Sequence, residues 1–323
     1  MAHYLITGAA GFIAARVCEF LLETGNTVLG LDNLNDAYDV RVKNYRLQRL
    51  LRIPGFTFLQ ADITKQASLQ ALENTSFDAI FNLAARAGVR QSVENPWIFV
   101  DTNVSGTLNL LELCRRNQIP KFILASTSSV YGQNAPYPTP ESADSDHPMQ
   151  AYAASKKAAE MLCYAYHSLN NLDVTIFRYF TVYGPAGRPD MSMFRFVQWV
   201  SEDQPVKING DGEQSRGFTY VDDIARGTIA GIKPMGYQVI NLGGHESIRI
   251  NELIKLIEDR VGKKARIVHL PLHPADMLAN LADITKARLY LDWEPQVNLA
   301  NGVTQLVTWY NAERAWAKEI LTV

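Results

Sequence analysis

Residues 3–14 read His3-Tyr4-Leu5-Ile6-Thr7-Gly8-Ala9-Ala10-Gly11-Phe12-Ile13-Ala14. A short apolar run ends in two glycines, and an amphipathic segment follows. The run has the texture of a buried strand, and residues 12–23 carry the apolar spacing of a helix. Gly8 permits a tight turn. Gly11 lets the backbone approach a pyrophosphate, and Ala14 is small enough for helix and strand to pack closely. The helix opens with Phe12 and Ile13, so its free N–H groups and partial positive charge face those phosphates. A glycine pair alone is common in turns. Its place between strand and helix makes it a dinucleotide-binding turn.

The pattern repeats outward from this unit. Apolar, non-alternating runs at 27–31, 57–60, 79–83, 122–126 and 174–178 read as further strands. Helical spacing falls between them at 68–73, 100–117 and 151–169. Such alternation predicts an α/β fold with a doubly wound parallel (Rossmann) sheet, covered on both faces. After Arg178 glycine and proline become frequent and the alternation weakens. Helices return at 251–261 and 302–317, while 218–233 and 239–242 read as one more helix and strand of the sheet. The expected division is a cofactor domain of residues 1–180 plus about 217–245, interleaved with a smaller α/β substrate domain of about 181–216 and 246–323. Arg41, Lys43, Arg46, Arg49 and Arg52 lie in a helical stretch after the second strand. They are expected to form a solvated helix face with no further role.

Bulk properties exclude several functions. The 323 residues carry a formal charge of -2, with no basic footprint for nucleic acid or an anionic membrane surface. No apolar run approaches the roughly 20 residues that span a bilayer. The chain runs from Met1 straight into an apolar strand, and a cytoplasmic location is expected. Cys18, Cys114 and Cys163 form no pairing pattern and read as buried apolar residues. No metal is expected.

Asp32 ends the second strand, about twenty residues beyond Gly11. A carboxylate there accepts hydrogen bonds from an adenosine ribose and repels a 2′-phosphate, so NAD is favoured over NADP. Asn33 follows it. Asp62 and Ile63 end the third strand, where an adenine would lie. For Asp62 a capping role and a ligand role are equally open.

Tyr152 and Lys156 are four residues apart at the start of a helix, which puts both on one face at roughly 6 Å. An ammonium beside a phenol stabilises the phenolate, making tyrosine a usable base near neutral pH. The spacing alone is common. It gains meaning from Ser126-Thr127-Ser128-Ser129-Val130-Tyr131-Gly132, which ends a strand on the carboxyl edge of the sheet, where open α/β folds bind ligands.

Together with Asn82-Leu83-Ala84-Ala85 and Arg216-Gly217-Phe218-Thr219-Tyr220-Val221-Asp222-Asp223, these motifs resemble the extended short-chain dehydrogenase/reductase family, whose members act mainly on nucleotide sugars. Arg86-Ala87-Gly88-Val89-Arg90 and Phe180-Thr181-Val182-Tyr183-Gly184-Pro185-Ala186-Gly187-Arg188-Pro189-Asp190-Met191 are similar to its UDP-glucuronate 4-epimerase subgroup. The resemblance implies NAD as cofactor, a UDP-sugar as substrate and a homodimer. It makes Thr127 the catalytic hydroxyl, Tyr152 the acid/base and Lys156 its tuner. It places Leu83, Ala84, Ala85 and Asn103 along the cofactor. Arg90, Ser128, Ser129, Thr181, Arg188, Arg216 and Asp276 fall to the substrate, Arg216 on the diphosphate and Asp276 on the uridine ribose. Asn82, Arg86, Ala14, Gly217 and Ala275 depart from the family's usual His, Gln, Gly, Asp and Gly.

Related dehydratases and decarboxylases resemble Thr-Asp-Glu or Thr-Ser-Glu where this chain has Thr127-Ser128-Ser129. Without those carboxylates, simple epimerisation at C4 is expected. Arg188, with Thr181, is expected to hold a uronate's carboxylate away from the geometry that loses CO2. Epimerisation of a neutral UDP-sugar (UDP-glucose or UDP-N-acetylglucosamine) is the first alternative enzyme and UDP-glucuronate decarboxylation the second, with an inactive NAD sensor the alternative from another class.

Overall fold

The computed structural model describes residues 1–244, 246–271 and 279–322. Its strands are β1 (His3–Thr7), β2 (Thr27–Asp32), β3 (Phe56–Gln60), β4 (Ala79–Asn82), β5 (Lys121–Thr127), β6 (Asp173–Tyr179), β7 (Thr181–Tyr183), β8 (Pro205–Asn209), β9 (Ser215–Tyr220), β10 (Tyr237–Leu242), β11 (Ser247–Arg249) and β12 (Arg266–Leu270). Its α-helices are α1 (Phe12–Glu23), α2 (Val40–Leu50), α3 (Gln66–Leu69), α4 (Val89–Glu94), α5 (Trp97–Val100), α6 (Gly106–Asn117), α7 (Ala151–Asn170), α8 (Ser192–Ser201), α9 (Val221–Ala230), α10 (Ile250–Val261), α11 (Thr285–Leu291) and α12 (Leu299–Ala317). Seven parallel strands form one sheet in the order β10-β6-β5-β4-β1-β2-β3.

Period-2 alternation explains why both faces are apolar. Ile6, Phe81, Ile123 and Phe177 point to one layer, with Val17 and Leu21 of α1 and Ile224 of α9. Their neighbours Leu5, Ile80, Phe122 and Ile176 point to the other, with Leu110 of α6 and Cys163 of α7. A second core gathers Val197 of α8, Leu253 of α10 and Tyr310 of α12, with Phe218 and Tyr220 of β9. Strand order reverses beside β1, between β2 and β4, which opens a crevice at the carboxyl edge. The glycine turn after β1, the 83–90 loop after β4 and the Ser/Thr run after β5 all end there.

Three sequence expectations change. The helix expected from 218 begins at Val221, because Phe218, Thr219 and Tyr220 pair with Thr181, Val182 and Tyr183 of β7. Aromatic and β-branched side chains suit that strand, and Asp222 and Asp223 then sit in the helix's first turn, where its dipole favours them. The helix expected over 100–117 begins at Trp97 and contains a π-helical turn, Asp101–Ser105. The basic face of α2 is only partly solvated. Arg41, Arg49 and Arg52 are exposed, but Lys43 is 5% and Arg46 4% exposed. Helical spacing does not reveal what packs above a helix, and here the 186–187 loop covers it. Among the described residues no helix is long and apolar enough to cross a membrane.

Candidate active site

The glycine turn is shaped by close approach. Gly8 has φ +71°, and a Cβ there would lie 2.8 Å from the backbone of Ala84. At Gly11 a Cβ would meet the Gly8 carbonyl at 2.7 Å. A cradle this tight leaves backbone N–H groups facing outward, as a pyrophosphate requires. Asp32 braces it: one carboxylate oxygen accepts from Ala10 N at 3.2 Å, the other from Leu34 N at 2.8 Å.

Asp62 is partly occupied by the protein. It accepts from Thr64 N at 2.9 Å and from Asn33 Nδ2 at 3.1 Å. Burial pushes its carboxyl up, but these donors outweigh burial and hold it below the usual range. The capping reading is therefore present in the structure, and Asn33 is tied to it. Ile63 sits over Gly106, where any side chain would collide with it, and its carbonyl accepts from Asn109 Nδ2 at 2.8 Å.

The loop after β4 is equally built. Thr7 Oγ1 donates to Asn82 Oδ1 at 3.0 Å, and Asn82 Nδ2 donates to Thr107 Oγ1 at 2.9 Å. That bridge accounts for an amide in place of the imidazole. Leu83 and Ala84 are half-buried and Ala85 exposed, on the rim of the crevice. Asn103 accepts from Arg86 N at 2.9 Å and donates to Arg86 O and to Ser155 Oγ. It spends its amide on the protein, joining the 86 loop to the start of α7.

Thr127 caps the short 3₁₀ turn Ser128–Tyr131, accepting from Ser129 N at 3.2 Å. Tyr152 opens α7 beside it, with the Phe99 ring edge-on at 6.1 Å. Burial raises the phenol above its ordinary pKa, while a hydrogen bond with Thr127 and the charge of Arg188 pull it back. Sequence reading gave that electrostatic task to Lys156. In the protein alone the charge acting on Tyr152 is Arg188, which sequence reading placed on the sugar carboxylate.

Lys156 is the other half of the pair. It is 1% exposed, and its Nζ has no hydrogen-bond partner among the described residues. Burial lowers its pKa to about 8. A buried, orphaned ammonium one helical turn from Tyr152 fits the ribose hydroxyls of a nicotinamide dinucleotide. It also makes a stability prediction. The unfolded lysine titrates near 10.4, so between about pH 8 and 10.4 the unfolded state binds more protons and stability rises with pH. Below pH 8 the folded cation costs on the order of 3 kcal/mol. NAD-free Lys156→Met is therefore expected to be the more stable protein at pH 7. Denaturant titrations should show its margin over wild type closing by about pH 10, and a constant margin contradicts this.

Four cations cluster in the crevice: burial lowers the pKa of the Lys43 ammonium, Asp32 at 4.0 Å opposes this, and Arg46, Arg86 and Arg188 push it lower, while Nζ donates to Asn35 Oδ1 at 3.0 Å. Arg188 is held through its Nε and Nη2 edge by Asp190, at 3.0 and 2.5 Å, and Nη2 also donates to Ala87 O at 3.2 Å. Among the described residues its Nη1 alone makes no hydrogen bond, which leaves it for a ligand. Asp190 received no role from the sequence, although it stands two residues after Arg188.

The remaining substrate calls are more scattered. Thr181 starts β7, half-buried, and Arg216 lies in β9 with Nη1 on Ser215 O at 2.8 Å. Arg90 is exposed at the start of α4. Ser128 Oγ accepts from Asn280 Nδ2 at 3.4 Å. Gly217 donates to Asn280 O at 2.7 Å, and a Cβ there would crowd that carbonyl at 3.2 Å, which explains the absence of the usual Asp. Asp276 and Ala275 lie outside the described residues. Among those residues no group of His, Cys, Asp and Glu could hold a metal ion.

A doubly wound sheet with a phosphate-shaped turn, a serine/threonine edge and a Tyr–Lys pair defines a dinucleotide-dependent enzyme that works on an alcohol. The chain belongs to the NAD dependent epimerase/dehydratase family, whose sequence profile matches residues 4–243. It is 54% identical over 311 residues, 96% of each chain, to a UDP-glucuronate 4-epimerase of Thermodesulfobacterium geofontis (strain OPF15). A crystal structure of UDP-glucuronic acid 4-epimerase from Bacillus cereus, in complex with UDP-glucuronic acid and NAD, superposes with a TM-score of 0.89 at 36% identity, covering 96% of this chain and 99% of that one. A UDP-glucose 4-epimerase of Thermotoga maritima gives the same TM-score at 31% identity, covering 97% and 99%. The fold alone thus does not choose between a uronate and a neutral sugar.

Proposed function

We propose that this chain interconverts UDP-glucuronate and UDP-galacturonate by inversion at C4 of the sugar, with NAD as its cofactor. The observation that carries the uronate is Arg188, a half-buried guanidinium beside Tyr152 for which a neutral hexose offers no charged partner. The 54% identity to a UDP-glucuronate 4-epimerase supports the same substrate.

Bound NAD supplies a hydride acceptor that makes oxidation of the C4 alcohol reversible. Tyr152 takes the C4 hydroxyl proton as the alcohol becomes a ketone, and returns a proton when the opposite face is reduced. Thr127 shares that hydrogen bond. Lys156, once its Nζ meets the cofactor's ribose, keeps its charge and stabilises the phenolate from the other side. Gly8, Gly11, Phe12 and Ile13 hold the pyrophosphate. Asp32 and Asn33 hold the adenosine ribose, and Asp62 and Ile63 the adenine. Arg216, Arg90 and Asp276 hold the nucleotide half of the substrate while the sugar turns. Ser128 and Ser129 offer hydroxyls only, where an elimination would need an acid and a base.

Incubation with UDP-glucuronate and no added NAD, followed by separation of UDP-sugars, tests this. A UDP-galacturonate peak is expected. Release of CO2 with a UDP-pentose, or turnover of UDP-glucose alone, overturns the reading.

The chain is further proposed to act as a homodimer in the cytoplasm. Trp97, Leu108, Met161 and Tyr164 expose apolar area on α5, α6 and α7, as paired helix faces would. Three free, buried cysteines suit a reducing compartment. Sedimentation equilibrium at twice the chain mass is expected.

A further inference from the structure

Arg46 is a buried cation, and among the described residues no carboxylate pairs with it. Its guanidinium has five N–H donors, and all five are used on neutral acceptors. Nε and Nη2 donate to Ala186 O at 2.9 and 2.6 Å, and Nη2 also to Gly187 O at 3.1 Å. Nη1 donates to Ala10 O at 3.0 Å and to Tyr38 Oη at 2.7 Å. Ala10 belongs to the cofactor's glycine turn. Ala186 and Gly187 lead directly into Arg188. Ala186 has φ +51°, a left-handed conformation that side chains other than glycine rarely adopt. Two of the five donors grip the carbonyl of that residue.

We propose that Arg46 is a positioning residue that couples the two halves of the site: it holds residues 186–187 in the left-handed turn that aims Arg188, and fastens that turn to the cofactor's glycine turn. Cofactor occupancy and the grip on the sugar's carboxylate then strengthen each other, because binding linkage is reciprocal. The argument rests on the uronate reading for the carboxylate, and on the geometry alone for the link to NAD. Lysine cannot replace Arg46, because one ammonium has three donors and no planar fork.

The test measures binding rather than turnover. Affinities for UDP-glucuronate and UDP-glucose are measured by calorimetry on NAD-loaded and NAD-stripped protein, and their ratio gives the carboxylate selectivity. In wild type the ratio is expected to rise about tenfold when NAD is loaded. In Arg46→Lys it is expected not to change, and less NAD survives dialysis. Ala186→Val, which leaves Arg46 intact but disfavours the left-handed turn, is expected to lose the same NAD-dependent gain, and covers the case of a misfolded Arg46→Lys. Adding Ala186→Gly to Arg46→Lys is expected to restore selectivity but not NAD retention. A wild-type gain that persists in both Arg46→Lys and Ala186→Val overturns the proposal. A wild type that binds both sugars equally overturns the uronate reading instead. The coupling is then judged by NAD retention, and Arg46→Lys holding NAD as wild type does overturns it.

Discussion

Tyr152→Phe is expected to lose about a thousandfold in kcat, within the range that general acid–base groups contribute, while still folding and still holding NAD. The reasoning is local. The phenol oxygen is the titratable atom on α7 that meets Thr127, and on the proposed mechanism it is the atom that takes and returns the C4 proton. Phenylalanine keeps the ring and its edge-on contact with Phe99. Removing one hydrogen bond to Thr127 costs about 1 kcal/mol of stability at most. Lys156 and the glycine turn are untouched, so NAD released on denaturing the purified variant should match wild type. Single-turnover assays with UDP-glucuronate, alongside thermal melts, separate the two effects. Wild-type turnover, or a variant that has lost its NAD, contradicts the assignment.

The parts of this site that lie in one stretch of chain were readable in the sequence. Gly8 and Gly11 announce a turn because only close backbone approach requires both. The Tyr152–Lys156 pair and the Ser/Thr run are each contained within a few residues. The six strands of the first half were readable for the same reason, since burial on both faces removes polar residues from a continuous run. Contacts that depend on pairing across the chain were not. The start of α9 was misplaced because Phe218–Tyr220 become a strand only against β7, which no local spacing reveals. Arg46 looked like one of five solvated basic residues until the loop carrying Ala186, 140 positions away, was placed over it. Asp190 was visible beside Arg188, but nothing in the sequence says which edge of a guanidinium it occupies.

That edge bears on Arg188→Ala, for which the expected result is a change of product rather than of amount. A 4-keto uronate is a β-keto acid and loses CO2 once the bond to its carboxylate stands perpendicular to the ketone. Preventing this requires the carboxylate to be held in one orientation throughout the lifetime of the ketone. A bidentate Arg–carboxylate pair would fix that orientation best, but Asp190 already fills the Nε–Nη2 edge and Ala87 O takes a further Nη2 proton. On the proposed reading the carboxylate would then be held through Nη1. Asp190 keeps the guanidinium rigid, so a single donor group suffices to fix direction, and the strong Arg188 field holds the Asp190 carboxyl ionised despite its burial. Loss of Arg188 should lower the epimer-to-CO2 ratio by at least tenfold, equivalent to about 1.4 kcal/mol between the two exits. The ratio is independent of how much protein is folded, so general damage cannot imitate it. A second consequence has a defined sign. Arg188 pulls the Tyr152 pKa down, so in Arg188→Ala the acidic limb of the kcat/KM profile, where the phenol must lose its proton, moves to higher pH. A changed pH limb with an unchanged product ratio would leave Arg188 as an electrostatic partner of Tyr152 and refute its hold on the carboxylate.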